Sequence, residues 1–163
     1  MTQADWGTFF VAQIGASAAL IGLLFVALSI NLERIVVAAF LVDRVAEALL
    51  VIGGLLVFSI FGTVPHQNVA TFGVETFVGG GIVWIVTTAL MTRSLRNRPG
   101  RVAIRYAILR VALMQTATLS TVIAGALLAT GHDAGFFWLV PATLISYIAG
   151  IGNAWALTVE ILR

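Results

Sequence analysis

Five apolar runs, each long enough to cross a bilayer as a helix, constrain this chain more than any other feature of its sequence. They extend from Phe9 to Ile30, Val45 to Val64, Ala70 to Met91, Tyr106 to Thr130 and Gly135 to Leu162. About 20 helical residues span the ~30 Å hydrocarbon core of a membrane. In hydrocarbon every backbone N–H and C=O must be paired within the protein, which leaves only helices or a closed barrel. Barrel strands alternate apolar and polar residues, and these runs do not alternate. The expected fold is all-α: a polytopic transmembrane helical bundle of five helices, forming one domain over residues 1–163. Only 10% of residues are charged, against about 25% in an ordinary globular protein. That is too little polar surface to cover a small soluble fold.

The boundaries carry helix punctuation. Thr2 and Asp5 have capping-box spacing ahead of the first run. The start holds one acid and no base, and the run after it exceeds a signal-peptide core, so a retained helix is expected. Pro65-His66-Gln67-Asn68 and Arg98-Pro99-Gly100 break the chain on either side of the third helix. Gly131 suits a C-cap and Asp133 an N-cap. Pro141, about two turns into the fifth helix, is expected to weaken one backbone hydrogen bond and bend the outer end. Ile35 to Val42 is apolar but too short to span, bracketed by Glu33-Arg34 and Asp43-Arg44. It reads as an interfacial elbow or an extension of the second helix, with a re-entrant loop as the third option.

All nine basic residues are arginine. With five spans, Arg34, Arg44, Arg93, Arg96, Arg98, Arg101, Arg105 and Arg163 fall on one side, and Asp5, His66, His132 and Asp133 on the other. Cytoplasmic loops are enriched in basic residues. This predicts the N-terminus outside and the C-terminus cytoplasmic, in a plasma (inner) membrane. Four or six helices would scatter the arginines. Trp6, Phe9, Phe10, Phe136, Phe137 and Trp138 are expected to form an outer aromatic belt, with Tyr106 and Trp155 toward the inner interface.

Small residues pack helices in lipid. Ala142, Ser146, Gly150, Ala154 and Thr158 recur every fourth position in the fifth helix. Gly15, Ala18 and Gly22 narrow one face of the first, while Gly53-Gly54 and Gly79-Gly80-Gly81 mark the second and third. These stripes serve packing within one bundle or a homo-oligomer interface.

Ionisable residues inside a membrane are functional candidates. Arg110, Glu47 and Glu160 fall at similar depth, and an ion-pair cluster is expected, as a structural brace or as a gate or proton relay. His66, Glu75, His132 and Asp133 form a possible outer polar site, although no pair has a recognised metal-ligand spacing. Gln13, Ser17 and Asn31 share one side of the first helix with Leu20, Leu24 and Leu28 between them. That line reads as a pore with a hydrophobic constriction, or as interhelical hydrogen bonders. Gln115, Thr116, Thr118, Ser120 and Thr121 point around much of the fourth helix, suggesting a central position with Asn153 as a partner.

The first third of the chain resembles an uncharacterised family of small actinobacterial-type multi-pass membrane proteins. The resemblance rests on Phe9 to Leu20, Leu28 to Ile35 and Arg44 to Leu50. It implies a bacterial plasma membrane and supplies no catalytic residues. Some members carry an automatic label as modulators of a membrane-anchored protease.

No cysteine is present, which excludes thiolate chemistry and disulfides. Phosphate-loop, nucleophile-elbow and His-Glu-x-x-His patterns are absent. An enzyme, a cofactor and a nucleic-acid partner are not expected. Two roles remain: a membrane helper or interaction protein acting through helix–helix contacts with itself or another membrane protein, or an oligomeric channel for ions or small solutes. The expected surroundings are membrane lipid in either case.

Overall fold

The computed structural model describes the backbone of residues 3–97 and 104–162, and the side chains of 5–97 and 105–155. Every regular element in it is helical. A 3-10 turn, Gln3–Trp6, leads into α1 (Gly7–Ile30); then follow α2 (Leu32–Val37), α3 (Ala39–Gly62), α4 (Val69–Arg96), α5 (Ile104–Ala129) and α6 (Ala134–Leu162). Five of these, all but α2, are long and apolar enough to cross a membrane. The chain is thus a five-span helical membrane protein. The spanning helices have 24 to 29 residues, or roughly 36–44 Å at 1.5 Å per residue, so they overhang a ~30 Å hydrocarbon core or tilt within it.

The overhang explains where the helices outrun the apolar runs. α3 begins at Ala39 rather than Val45, and α4 continues to Arg96 rather than ending at Met91. Charged residues do not break a helix, and a long side chain carries its charge beyond the apolar zone. The segment after α1 resolves into two parts. Leu32–Val37 is a short helix, Ala38 is extended (φ −118°, ψ 102°), and Ala39 onward belongs to α3. The elbow and the extension both exist, and the re-entrant loop does not. Ile35 and Leu41 pin the bend by packing with Leu28, Phe40 and Val45.

Sequential neighbours α3–α4, α4–α5 and α5–α6 pack together, and α3 also touches α1 and α6. α1 and α4 are the least enclosed of the five, whereas α3, α5 and α6 share the interior. α4 and α5 approach most closely. A Cβ at Gly73 would strike the backbone of Leu128 and Ala129, and one at Gly125 the backbone of Phe77. Neither position has room for a side chain.

Several aromatic residues near the α1 and α6 starts stack on one another. Trp6 lies over Phe136 (centroids 5.5 Å apart, planes at 13°), Phe72 stacks on Phe136 at 6.2 Å, and Phe10 meets Phe72 edge-on at 5.4 Å. Phe10, Phe72 and Phe136 are buried, and only Phe137 and Trp138 are strongly exposed. Rings with this much area gain more from mutual packing than from the interface. Gly62 makes space for the Phe10 ring.

Helix ends follow local chemistry. Asn68 caps α4, its side chain accepting from the Ala70 amide at 2.9 Å. α5 ends in a Schellman turn: the His132 amide donates to Leu127 O, the Gly131 amide to Leu128 O, and Gly131 takes φ +81°. Trp6 offers no side-chain cap to α1, and Thr2 lies outside the described residues. α6 runs through Pro141 as one helix.

Candidate functional site: a buried charge network at the arginine-rich end

Asp43, Arg44 and Glu47 occupy little more than one turn of α3, and each reaches a different neighbour. Asp43 lies 3.3 Å from Arg93 Nε of α4. That contact is electrostatic rather than an aligned hydrogen bond, since the buried Asp43 Oδ2 has no hydrogen-bond partner. Glu47 accepts from Arg110 Nη2 of α5 at 2.5 Å. Arg44 turns to α6 and α5: its Nε donates to Asn153 Oδ1 at 3.0 Å and its Nη2 to Tyr106 OH at 3.0 Å. Asn153 returns the contact, donating from Nδ2 to Arg44 O at 2.8 Å. Arg110 Nη1 makes a longer approach to Ser94 Oγ of α4 (3.5 Å).

Four helices therefore meet through one polar cluster just inside their arginine-rich ends. Asp43, Arg44, Glu47, Ser94, Arg110 and Asn153 are all buried. Charges in this setting persist only when paired and hydrogen-bonded. The cluster meets that condition incompletely: Glu47 Oε1 and Arg110 Nε have no hydrogen-bond partner among the described residues. Its clearest physical consequence is to hold α3, α4, α5 and α6 in fixed register.

Sequence reasoning paired Arg110 with Glu47, Glu160 or both. The structure joins Arg110 to Glu47, and the Glu160 side chain lies outside the described residues. Arg44, read as bracketing the segment between the first two spans, lies in α3 and is 1% exposed. The available signal was helical spacing: residues 43, 44 and 47 fall within one turn if α3 begins early. Asn153, expected to serve the hydroxyls of α5, binds Arg44 instead.

Of the two readings of the Gln13, Ser17 and Asn31 line, the interhelical one describes the first two residues. Gln13 and Ser17 face into the bundle against α6. Gln13 Nε2 donates to Thr143 Oγ1 at 3.0 Å, Ser17 Oγ and Tyr147 OH are 2.9 Å apart, and Tyr147 OH reaches Gln13 O at 3.2 Å. Asn31 bonds its own helix at Ala27 O. A buried amide and hydroxyl in an apolar setting seek partners, and α6 supplies them for Gln13 Nε2 and Ser17 Oγ, while Gln13 Oε1 has none among the described residues. Gln13 and Ser17 form an interhelical seam with α6, and Asn31 is not part of it.

The stripe on α6 is likewise internal. Ala142, Ser146 and Gly150 are buried, Gly150 lies against Ile52 of α3, and Ala154 packs on the same α3 cluster. Thr158 has its side chain outside the described residues. This stripe is used for packing within the chain, so it is not a free interface.

His66, Glu75, His132 and Asp133 are not brought together. Glu75 accepts from Gln67 Nε2 at 2.6 Å, while His132 Nδ1 contacts Thr130 Oγ1 at 3.0 Å. Among the described residues no three His, Cys, Asp or Glu side chains are placed to hold a metal ion. His66 is exposed in the left-handed region (φ 58°) at the turn after Pro65.

A second polar link, unnoticed in the sequence, joins α4 to α5. Trp84 Nε1 donates to Gln115 Oε1 at 2.6 Å, and Gln115 Nε2 to Thr88 Oγ1 at 3.0 Å.

No family model, curated protein or solved structure matches this chain. Its functional reading rests on its own residues.

Proposed function

We propose that the protein is an integral membrane interaction protein, binding a second membrane-embedded helix along the outward face of α1. One observation carries the reading. A Cβ at Gly15 or Gly22 would meet nothing within 4 Å, and Ala12, Ala16 and Ala19 on the same helix are exposed. Such small residues let helix backbones approach closely, and none of the described residues occupies this face. The partner is a second copy or another membrane protein. The charged cluster of α3 to α6 and the Gln13–Ser17 seam are turned inward between helices, which favours a binding role over conduction along them.

In this reading the arginine-rich end is cytoplasmic by the positive-inside rule. The N-terminus is then outside. The resemblance of the first third to small actinobacterial-type membrane proteins supports reading that membrane as a bacterial plasma membrane.

The absence of native cysteine makes the test clean. Ala16→Cys and Ala19→Cys are crosslinked in intact membranes, with Ile85→Cys on the lipid-facing side of α4 as the control. A defined homodimer or a discrete adduct from α1 alone is the expected result. Equal crosslinking from both helices, or none from α1, rejects the reading. Native mass measurement of the nanodisc particle separates it from a conduit, for which a closed oligomer of three or more chains with liposome flux is required.

A further inference from the structure

A crevice of about 320 Å³ lies between α3, α4 and α5. Its volume falls at the lower end of the roughly 300–1,000 Å³ typical of small-molecule sites. It exists because two glycines leave it open: a Cβ at Gly53 or Gly79 would meet no other atom within 4 Å. Along α3 the crevice runs from Leu49 to Phe61, about 18 Å of helix. Val57 and Gly79, both exposed on the lipid-facing surface, lie on its rim. A ligand therefore enters from the membrane, and its body must be apolar.

The polar groups on the wall define the head. Glu75 lines the end nearest the α4 start. Its carboxylate accepts from Gln67 and forms no ion pair among the described residues. The other carboxylates on spanning helices with described side chains, Asp43 and Glu47, each face an arginine. Beside Glu75, Thr76 is also on the wall; its hydroxyl is buried with no hydrogen-bond partner. Thr118 and Thr121, by contrast, bond the carbonyl four residues back. An acid on a spanning helix with no cation beside it among the described residues calls for one from elsewhere.

We infer that this crevice binds a lipophilic cation, an apolar chain bearing an ammonium head, with Glu75 as its counter-ion. The chain lies along α3 past Gly53, and the head sits between Glu75 and Thr76. The site is separate from the outward face of α1 and does not depend on it.

The test is equilibrium dialysis of dodecyltrimethylammonium against protein in nanodiscs, with empty discs as the blank and dodecanol as the neutral counterpart. Saturable binding of one cation per chain is expected, with dodecanol at least ten-fold weaker. Glu75→Gln should weaken the cation ten-fold or more and leave dodecanol unchanged, while Glu75→Asp retains most of the affinity. Gly53→Leu fills the crevice and should abolish both; gel filtration and thermal unfolding establish that each variant is folded. Equal affinity for cation and alcohol, an unchanged Glu75→Gln, or no binding above the blank overturns the inference.

Discussion

Arg110 of α5 donates to Glu47 of α3 at 2.5 Å, and the two side chains are only 7% and 0% exposed. They are 63 positions apart in the chain, so the contact exists only when the bundle is assembled. A pair this deep gives stability through what happens when it is broken. Its intact form contributes less, because desolvation offsets much of the attraction.

Breaking the pair from one side should cost more than removing it. Arg110→Met alone strands the Glu47 carboxylate and is expected to destabilise by about 3–5 kcal/mol. Adding Glu47→Leu should recover most of that loss. A denaturation series in detergent reads both. A single-variant loss of no more than about 1 kcal/mol, the range of exposed pairs, would show that the pair does not brace the helices.

Glycines that look alike in the sequence should behave oppositely. Gly73→Ala and Gly125→Ala put a methyl into the neighbouring backbone. They are expected to lose at least the ~1–3 kcal/mol typical of overpacking. Gly15→Ala and Gly22→Ala face open space and should gain up to about 1 kcal/mol from helix propensity. Thermal unfolding of the four variants checks the order.

The seam between α1 and α6 should be modest in energy. Ser17→Ala and Tyr147→Phe remove a 2.9 Å contact. A double-mutant cycle is expected to give a coupling of about 0.6–2 kcal/mol, the range for polar contacts between membrane helices. A coupling near zero would mean that this contact adds nothing to the hold of α6 on α1.

Topology is checked by labelling. Gln67→Cys and Asn97→Cys flank α4 and should react with an impermeant maleimide from opposite sides of the membrane. Asp133→Cys should label from the same side as position 67, because α5 returns the chain. Labelling of 67 and 97 from one side would contradict a five-span arrangement.

Helix number and approximate limits were legible because hydrocarbon imposes a length and an apolar character on each span regardless of its neighbours. The Gly131 turn was legible for a similar reason, being local backbone chemistry. The Glu47–Arg110 pair was half legible: matching depths narrowed the partners to two. The inward turn of Arg44 was not legible, because charge statistics locate a residue along the membrane normal and carry nothing about which way it points.

What the sequence determined by itself was the set of spans, the side on which the arginines gather, and the absence of thiol chemistry. Rotation of each helix about its axis was decided only by the tertiary structure. α1 is apolar all round, so its own pattern leaves open whether Gln13 and Ser17 face lipid, a pore or α6. In lipid no hydrophobic gradient chooses a face. The choice falls to close backbone contacts, such as Gly73 on Ala129, and to polar groups that must find partners in the core. Those contacts join residues far apart in the chain. For the same reason, the gap at Gly53 and Gly79 and the Glu75 carboxylate beside it became visible only once α3, α4 and α5 were packed.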